Sequence, residues 1–148
     1  MLDTAGMDLA LDEARAAAAS GEVPVGAVVL RDGAVVARAH NETVRRRDPT
    51  AHAELLAIQQ ALRALATDRL DDCTLYVTLE PCAQCAGAIV LVKVRRLVFG
   101  CFDDKAGMCG SIGDLVRHPR LNHRGEVQGG VRSAESSALL TAFFQAKR

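Results

Sequence analysis

Apolar positions recur at helical spacing between Asp3 and Ala19, where Met7, Ala10, Leu11, Ala14 and Ala18 fall on one face, predicting an Ala-rich helix. Ser20-Gly21 ends it, since glycine suits a left-handed cap. Two short apolar runs follow, Val25–Leu30 and Ala34–Ala39, joined by Arg31-Asp32-Gly33, and the Asp-Gly step predicts a hairpin. A polar loop from Asn41 to Asp48 carries Arg45-Arg46-Arg47. Asp48-Pro49-Thr50 then opens a helix from about Ala51 to Leu65, with Thr50 as the expected N-cap. Thr74–Leu79 is a strand by its β-branched content, and Pro81 favours the start of a helix over about Cys82–Val92. Arg96–Phe99 reads as a fourth strand and Glu126–Val131, interrupted by Gly129-Gly130, as a fifth. Between them, Asp103 to Asn122 is rich in turn residues. The chain closes with a helix from Ser133 whose apolar side holds Leu139, Leu140, Phe143 and Phe144. A hairpin followed by alternating strands and helices predicts an α/β fold with a mixed sheet covered on both faces.

A length of 148 residues suits one domain, residues 1–148, around one core. With four Phe, one Tyr and no Trp, packing rests on Ala, Val and Leu. The 18 basic and 18 acidic residues cancel, so overall charge does not point to nucleic acid. The charge is nonetheless uneven: residues 1–72 hold 8 basic and 12 acidic residues, and residues 73–148 hold 10 and 6. A polyanion is expected to meet mainly the second half. No apolar run reaches the ~18 residues that span a membrane, and the acidic N-terminal stretch is unlike a signal peptide. Five cysteines, two of them in C-x-x-C, suggest metal and free thiols in a reducing cytosol, not a disulfide framework.

The chemistry concentrates in His52-Ala53-Glu54 and, about thirty positions later, Pro81-Cys82-Ala83-Gln84-Cys85. One imidazole and two thiolates make three ligands for a tetrahedral zinc with a fourth position open, the pattern of a catalytic site. Both halves lie at predicted helix starts, where free N–H groups and the helix dipole favour a thiolate at Cys82. On a regular helix, residues 52 and 54 point in nearly opposite directions, so sharing a site requires the helix end itself to face the pocket. Other readings of the same residues are a redox C-x-x-C, or a structural zinc held by Cys82, Cys85, Cys101 and Cys109 in a nucleic-acid-binding module. The second leaves His52 and Glu54 without a role.

The blocks Glu22–Val28 (EVPVGAV), Asp48–Glu54 (DPTAHAE), Leu75–Gly87 (LYVTLEPCAQCAG), Val98–Gly100, His118-Pro119 and Asn122–Arg124 resemble the bacterial tRNA-specific adenosine deaminases of the cytidine-deaminase-like superfamily. The resemblance implies a three-layer α/β/α fold with a mixed five-stranded sheet. It implies one zinc per chain on His52, Cys82 and Cys85, with Glu54 as catalytic acid and base but not a ligand. By the same resemblance Asn41 contacts the flipped base, and Val25, Ala53, Leu79 and Pro81 surround it. Asp103 and Lys105 belong to the substrate loop, and Phe143, Phe144, Lys147 and Arg148 to a terminal helix that touches RNA. The implied reaction is hydrolytic deamination of adenosine to inosine at the first anticodon position, on a tRNA anticodon stem-loop, by a cytoplasmic homodimer. The alternative within the superfamily is a free-base or nucleoside deaminase of the guanine deaminase type. Two departures are visible: His40 stands where some relatives have tryptophan, and Cys101-Phe102 makes the substrate loop less polar.

Overall fold

In the computed structural model, which describes residues 1–123 and 125–147, Arg124 and Arg148 lie outside the described residues. The elements run α1 (Asp3–Ala19), β1 (Gly26–Arg31), β2 (Ala34–His40), α2 (Ala53–Leu65), β3 (Cys73–Leu79), α3 (Ala83–Leu91), β4 (Arg96–Cys101), β5 (Glu126–Gln128) and α4 (Ser133–Ala146). The strands form a five-stranded sheet in the order β2-β1-β3-β4-β5. β1 is antiparallel to both β2 and β3, while β3, β4 and β5 are parallel. The sheet is therefore mixed, as expected.

Local chemistry accounts for the joints. The Gly21 N–H donates to the Ala18 carbonyl at 3.1 Å and the Glu22 N–H to the Ala17 carbonyl at 2.9 Å, closing α1 in a Schellman motif. Gly21 takes φ +79° to do so. In the β1–β2 hairpin Asp32 and Gly33 sit at φ 51° and 77°, both left-handed, the conformation a type I′ turn requires.

Strand alternation sorts the core into two layers. Val28, Leu30, Tyr76 and Val98 meet Met7, Ala10 and Leu11 of α1, with Leu139 of α4 packed alongside. The alternate positions Ala27, Val29, Leu75, Val77, Leu97 and Phe99 meet the other side, which includes Leu56 and Ile58 of α2 and Ile89 of α3. Burial on both faces explains why β1 reads as a continuous apolar run. The Ala-rich face of α1 lets it approach the sheet closely: a Cβ on Gly26 would meet the Ala10 carbonyl and lie 2.5 Å from the Ala14 nitrogen.

Several boundaries differ from the sequence expectation. α2 begins at Ala53, not Ala51, and His52 occupies the N-cap position. Thr50 does not cap it, because Asp48 has captured both its N–H (2.9 Å) and its hydroxyl (2.6 Å). α3 likewise begins at Ala83 with Cys82 at the N-cap. β4 continues to Cys101, whereas β5 stops at Gln128, short of the expected Val131. A side chain at Gly129 would collide with the Phe99 ring, so glycine is needed there, and just beyond it the Gly130 N–H donates to Gly100 O at 3.0 Å. α4 packs less completely than its apolar side suggested, for Phe144 remains 50% exposed.

This topology brings His40, Gly26, Leu79 and Cys101 to one edge of the sheet. The Gly26 N–H donates to the Thr78 hydroxyl across that edge at 3.2 Å. From it emerge residues 41–52, 80–82 and 102–111.

Candidate active site and metal centre

The two motif halves meet at this edge. His52 Nδ1 lies 3.5 Å from Cys82 Sγ and 3.6 Å from Cys85 Sγ. A tetrahedral ion with bonds of about 2.1 Å to nitrogen and 2.3 Å to sulfur would hold such atoms about 3.6 Å apart, so the donor set fits zinc. Among the described residues this is the one group of three His, Cys, Asp or Glu side chains with ligand atoms so gathered. Cys101 and Cys109 lie outside it, and the Cys101 thiol faces the Thr78 carbonyl at 3.7 Å. A four-cysteine structural site is thereby ruled out.

The apparent conflict in H-x-E disappears at the helix end. His52 has extended backbone, φ −81° and ψ 150°, while Glu54 is already helical. One side chain turns off the end of α2 and the other off its first turn. Cys82 repeats the device, extended at φ −76° and ψ 179°, with Cys85 in the first turn of α3.

The electrostatics distinguish the four groups. Hydrogen bonds from the Cys85 thiol and the His52 ring bring Cys82 down to about 3, which favours a thiolate there. Cys85 is pushed up by donating to Cys82 and by burial. The bond to Cys82 raises His52. Glu54, 4% exposed and outside the ligand group, is raised to about 7, chiefly by desolvation.

Beside the triad opens a cavity of about 400 Å³, near the lower end of the ~300–1,000 Å³ usual for ligand sites. Val25 and Leu79 supply apolar wall, Asn41 and Glu54 polar wall, and His52 and Cys82 the side nearest the donor cluster. The Asn41 carbonyl oxygen accepts the Ala53 N–H at 2.9 Å, which satisfies a free donor of α2 and aims the amide. Ala53 itself is fully buried. Pro81 is also buried and is not among the lining residues; its carbonyl accepts from Met108 N–H at 2.9 Å.

Two buried glutamates that the sequence reading did not single out fix the loops on either side. Glu22 accepts the Val44 N–H at 3.0 Å and the Arg45 N–H at 2.8 Å, setting the arginine loop. Glu80, 1% exposed, accepts the N–H groups of Asp103, Cys109 and Ser111, each at 3.0 Å, and the Ser111 hydroxyl. A Cβ on Gly107 would strike this carboxylate, so glycine is needed there. In both cases the signal was a charged residue inside an apolar, motif-rich stretch.

The remaining predicted positions divide. Asp103 lines the cavity and also a neighbouring cleft of about 590 Å³, in which Lys105, Phe102 and Phe144 lie. Val23, Leu79 and Ala106 are likewise common to both, so the two are contiguous. Phe143 packs edge-on to Phe144 at 5.4 Å, and the Lys147 ammonium sits 5.0 Å from the Phe143 ring centre. Neither Phe143 nor Lys147 lines either space.

Comparison with known proteins agrees with this geometry. The MafB19-like deaminase family model matches residues 1–148. A tRNA-specific adenosine deaminase of Bacillus subtilis is 48% identical over 142 residues, covering 96% of this chain and 88% of its own. A solved structure from work on A-to-I editing by tRNA:A34 deaminases at the wobble position superposes with TM-score 0.88 at 44% identity, over 93% of this chain and 99% of that one. A guanine deaminase from Nitrosomonas europaea superposes with TM-score 0.79 at 30% identity, over 95% of this chain and 83% of that one.

Proposed function

Because this chain belongs to the deaminase family that contains the bacterial tRNA-specific adenosine deaminases, we propose that it converts adenosine to inosine at the first anticodon position of tRNA. The observation that carries the reading is the His52/Cys82/Cys85 cluster facing a base-sized cavity with a buried carboxylate, Glu54, outside the ligand set. A zinc ion on those three ligands, one per chain, would supply Lewis-acid activation of water near neutral pH.

The chain's own groups account for the rest. The reaction adds water to C6 of the purine and expels the 6-amino group as ammonia. Glu54 accepts a proton from the attacking water, delivers it to ring N1, and then serves the departing amine. Burial has already brought this carboxyl to about 7, where both protonation states are accessible. The Asn41 oxygen is held by Ala53, leaving its Nδ2 to donate to the base. Val25 and Leu79 flank the ring and exclude water.

An anticodon loop is single-stranded, so splaying one base into the cavity costs less than opening a duplex. Asp103, Lys105 and Phe144 line the adjoining cleft, which supports their assignment to nucleotides next to that base. The Arg45–Arg47 loop, Lys147 and Arg148 are the cations proposed for phosphates. We place the enzyme in the cytoplasm, as a homodimer. No helix among the described residues is long and apolar enough to cross a membrane.

A guanine deaminase activity is the second reading, favoured by the Nitrosomonas likeness and the zero net charge. Ammonia release from guanine, cytidine and adenosine, set beside turnover of an anticodon stem-loop, separates the two. Stem-loop turnover far above the free compounds supports the tRNA reading, and efficient release from guanine alone defeats it.

A further inference from the structure

Gln84 occupies one of the two middle positions of C-x-x-C, where sequence assigns it nothing. It lies in the first turn of α3. Its side-chain Nε2 is 3.0 Å from the Thr50 carbonyl and 3.8 Å from Cys85 Sγ. Both partners are acceptors, so the NH₂ end of the amide must face them, and its two hydrogens serve two partners.

The Thr50 carbonyl also accepts the His52 N–H at 2.8 Å. A single oxygen thus ties the backbone of one ligand to the side chain that touches another. Thr50 is in turn held by Asp48 through its N–H and hydroxyl. The chain Asp48–Thr50–Gln84–Cys85 therefore joins the segments entering α2 and α3, which are far apart in sequence, beside the direct contacts of His52 with Cys82 and Cys85.

We propose that Gln84 is a positioning residue of the metal centre: its amide locks the His52 segment to α3 and donates to the Cys85 sulfur, slowing loss of the metal. This rests on the zinc reading above. Cys85 is fully buried, so a thiolate there lacks water to share its charge, and an N–H donor takes that place. Groups that hydrogen-bond to a metal's ligands are typically worth ~10–100-fold in metal affinity. Gln84 itself is exposed, so replacing it opens no core cavity.

The test uses the zinc-loaded protein with Gln84→Met, similar in length but without donors, and Gln84→Glu, which also places an anion beside the sulfur. Zinc transfer to a colorimetric chelator should be about tenfold faster for Gln84→Met, and faster again for Gln84→Glu. In the cobalt-substituted proteins the thiolate-to-cobalt absorption should move to longer wavelength in both. The melting temperature of the metal-free Gln84→Met protein should match the metal-free wild type, separating a metal-site effect from a general loss of stability. If wild type holds zinc but Gln84→Met shows the same release rate and cobalt band, this inference is overturned while the functional reading stands. If wild type takes up no zinc, both are overturned.

Discussion

Replacing Glu80 by glutamine tests whether a buried carboxylate builds the substrate side of the cavity. One carboxylate oxygen of Glu80 takes the Cys109 and Ser111 N–H groups, and the other takes the Asp103 N–H and the Ser111 hydroxyl. A glutamine can keep its oxygen on the Cys109 side, and the Ser111 hydroxyl can turn to accept from the new NH₂. The Asp103 N–H is then left facing another donor. One orphaned buried donor costs about 1–3 kcal/mol, and the bonds that remain lose their charge assistance. A net loss of about 2–3 kcal/mol lowers the melting temperature of a chain this size by roughly 5–10 °C. Burial alone would raise the Glu80 pKa, but the Ser111 hydroxyl and the three N–H groups outweigh it and hold it below the usual 4.5. A depressed carboxyl contributes fully above its unfolded value and loses that contribution as pH falls through its folded one. The stability gap between wild type and Glu80→Gln should therefore be complete above about pH 4.5 and narrow in acid. Because the orphaned amide belongs to Asp103, stem-loop turnover should fall as well. Calorimetry from pH 3 to 7 is the assay. Equal melting at pH 7, or a gap that widens in acid, refutes the reasoning.

The metal and catalytic roles can be separated by three further variants. His52→Ala and Cys82→Ala should each lose zinc, by elemental analysis, together with activity; a metal-free protein of full activity contradicts the assignment. Glu54→Gln should keep one zinc per chain while single-turnover rate drops ~10²–10⁴-fold, the usual yield of an acid–base group. Lys147→Ala should reduce the slope of log affinity against log salt by roughly 0.7, one phosphate of single-stranded RNA, with zinc content unchanged. An unaltered slope would mean that the ammonium stays on the Phe143 ring when RNA binds.

Much of the architecture is legible because local rules and global packing agree. The Ala-rich stripe of α1, the Asp32-Gly33 turn and the β-branched Thr74–Leu79 each report their state directly. The His52, Cys82 and Cys85 cluster is legible because H-x-E and P-C-x-x-C occur together, and the fold gathers their donor atoms. The errors arise where two local rules compete. Thr50 has the chemistry of an N-cap, but Asp48 lies two residues away and takes its hydroxyl first. The H-x-E spacing looks wrong only if both residues are helical, and His52 is not. Glu22 and Glu80 stay hidden because their partners are backbone N–H groups 22 to 31 residues further along, and carboxylates are seldom buried. Gly129 is fixed as glycine by a ring on a neighbouring strand, a contact no local pattern contains.

The proposed activity turns on which adenosine of the anticodon loop enters the cavity. The most direct measurement is mass-spectrometric mapping of inosine in a synthetic anticodon stem-loop carrying adenosine at the first anticodon position, beside a loop with that adenosine moved one place. With the zinc-loaded protein, inosine should form at the first anticodon position, hardly at all in the shifted loop, and not with Glu54→Gln. Equal inosine in both loops, or none in either while free guanine is consumed, contradicts the account.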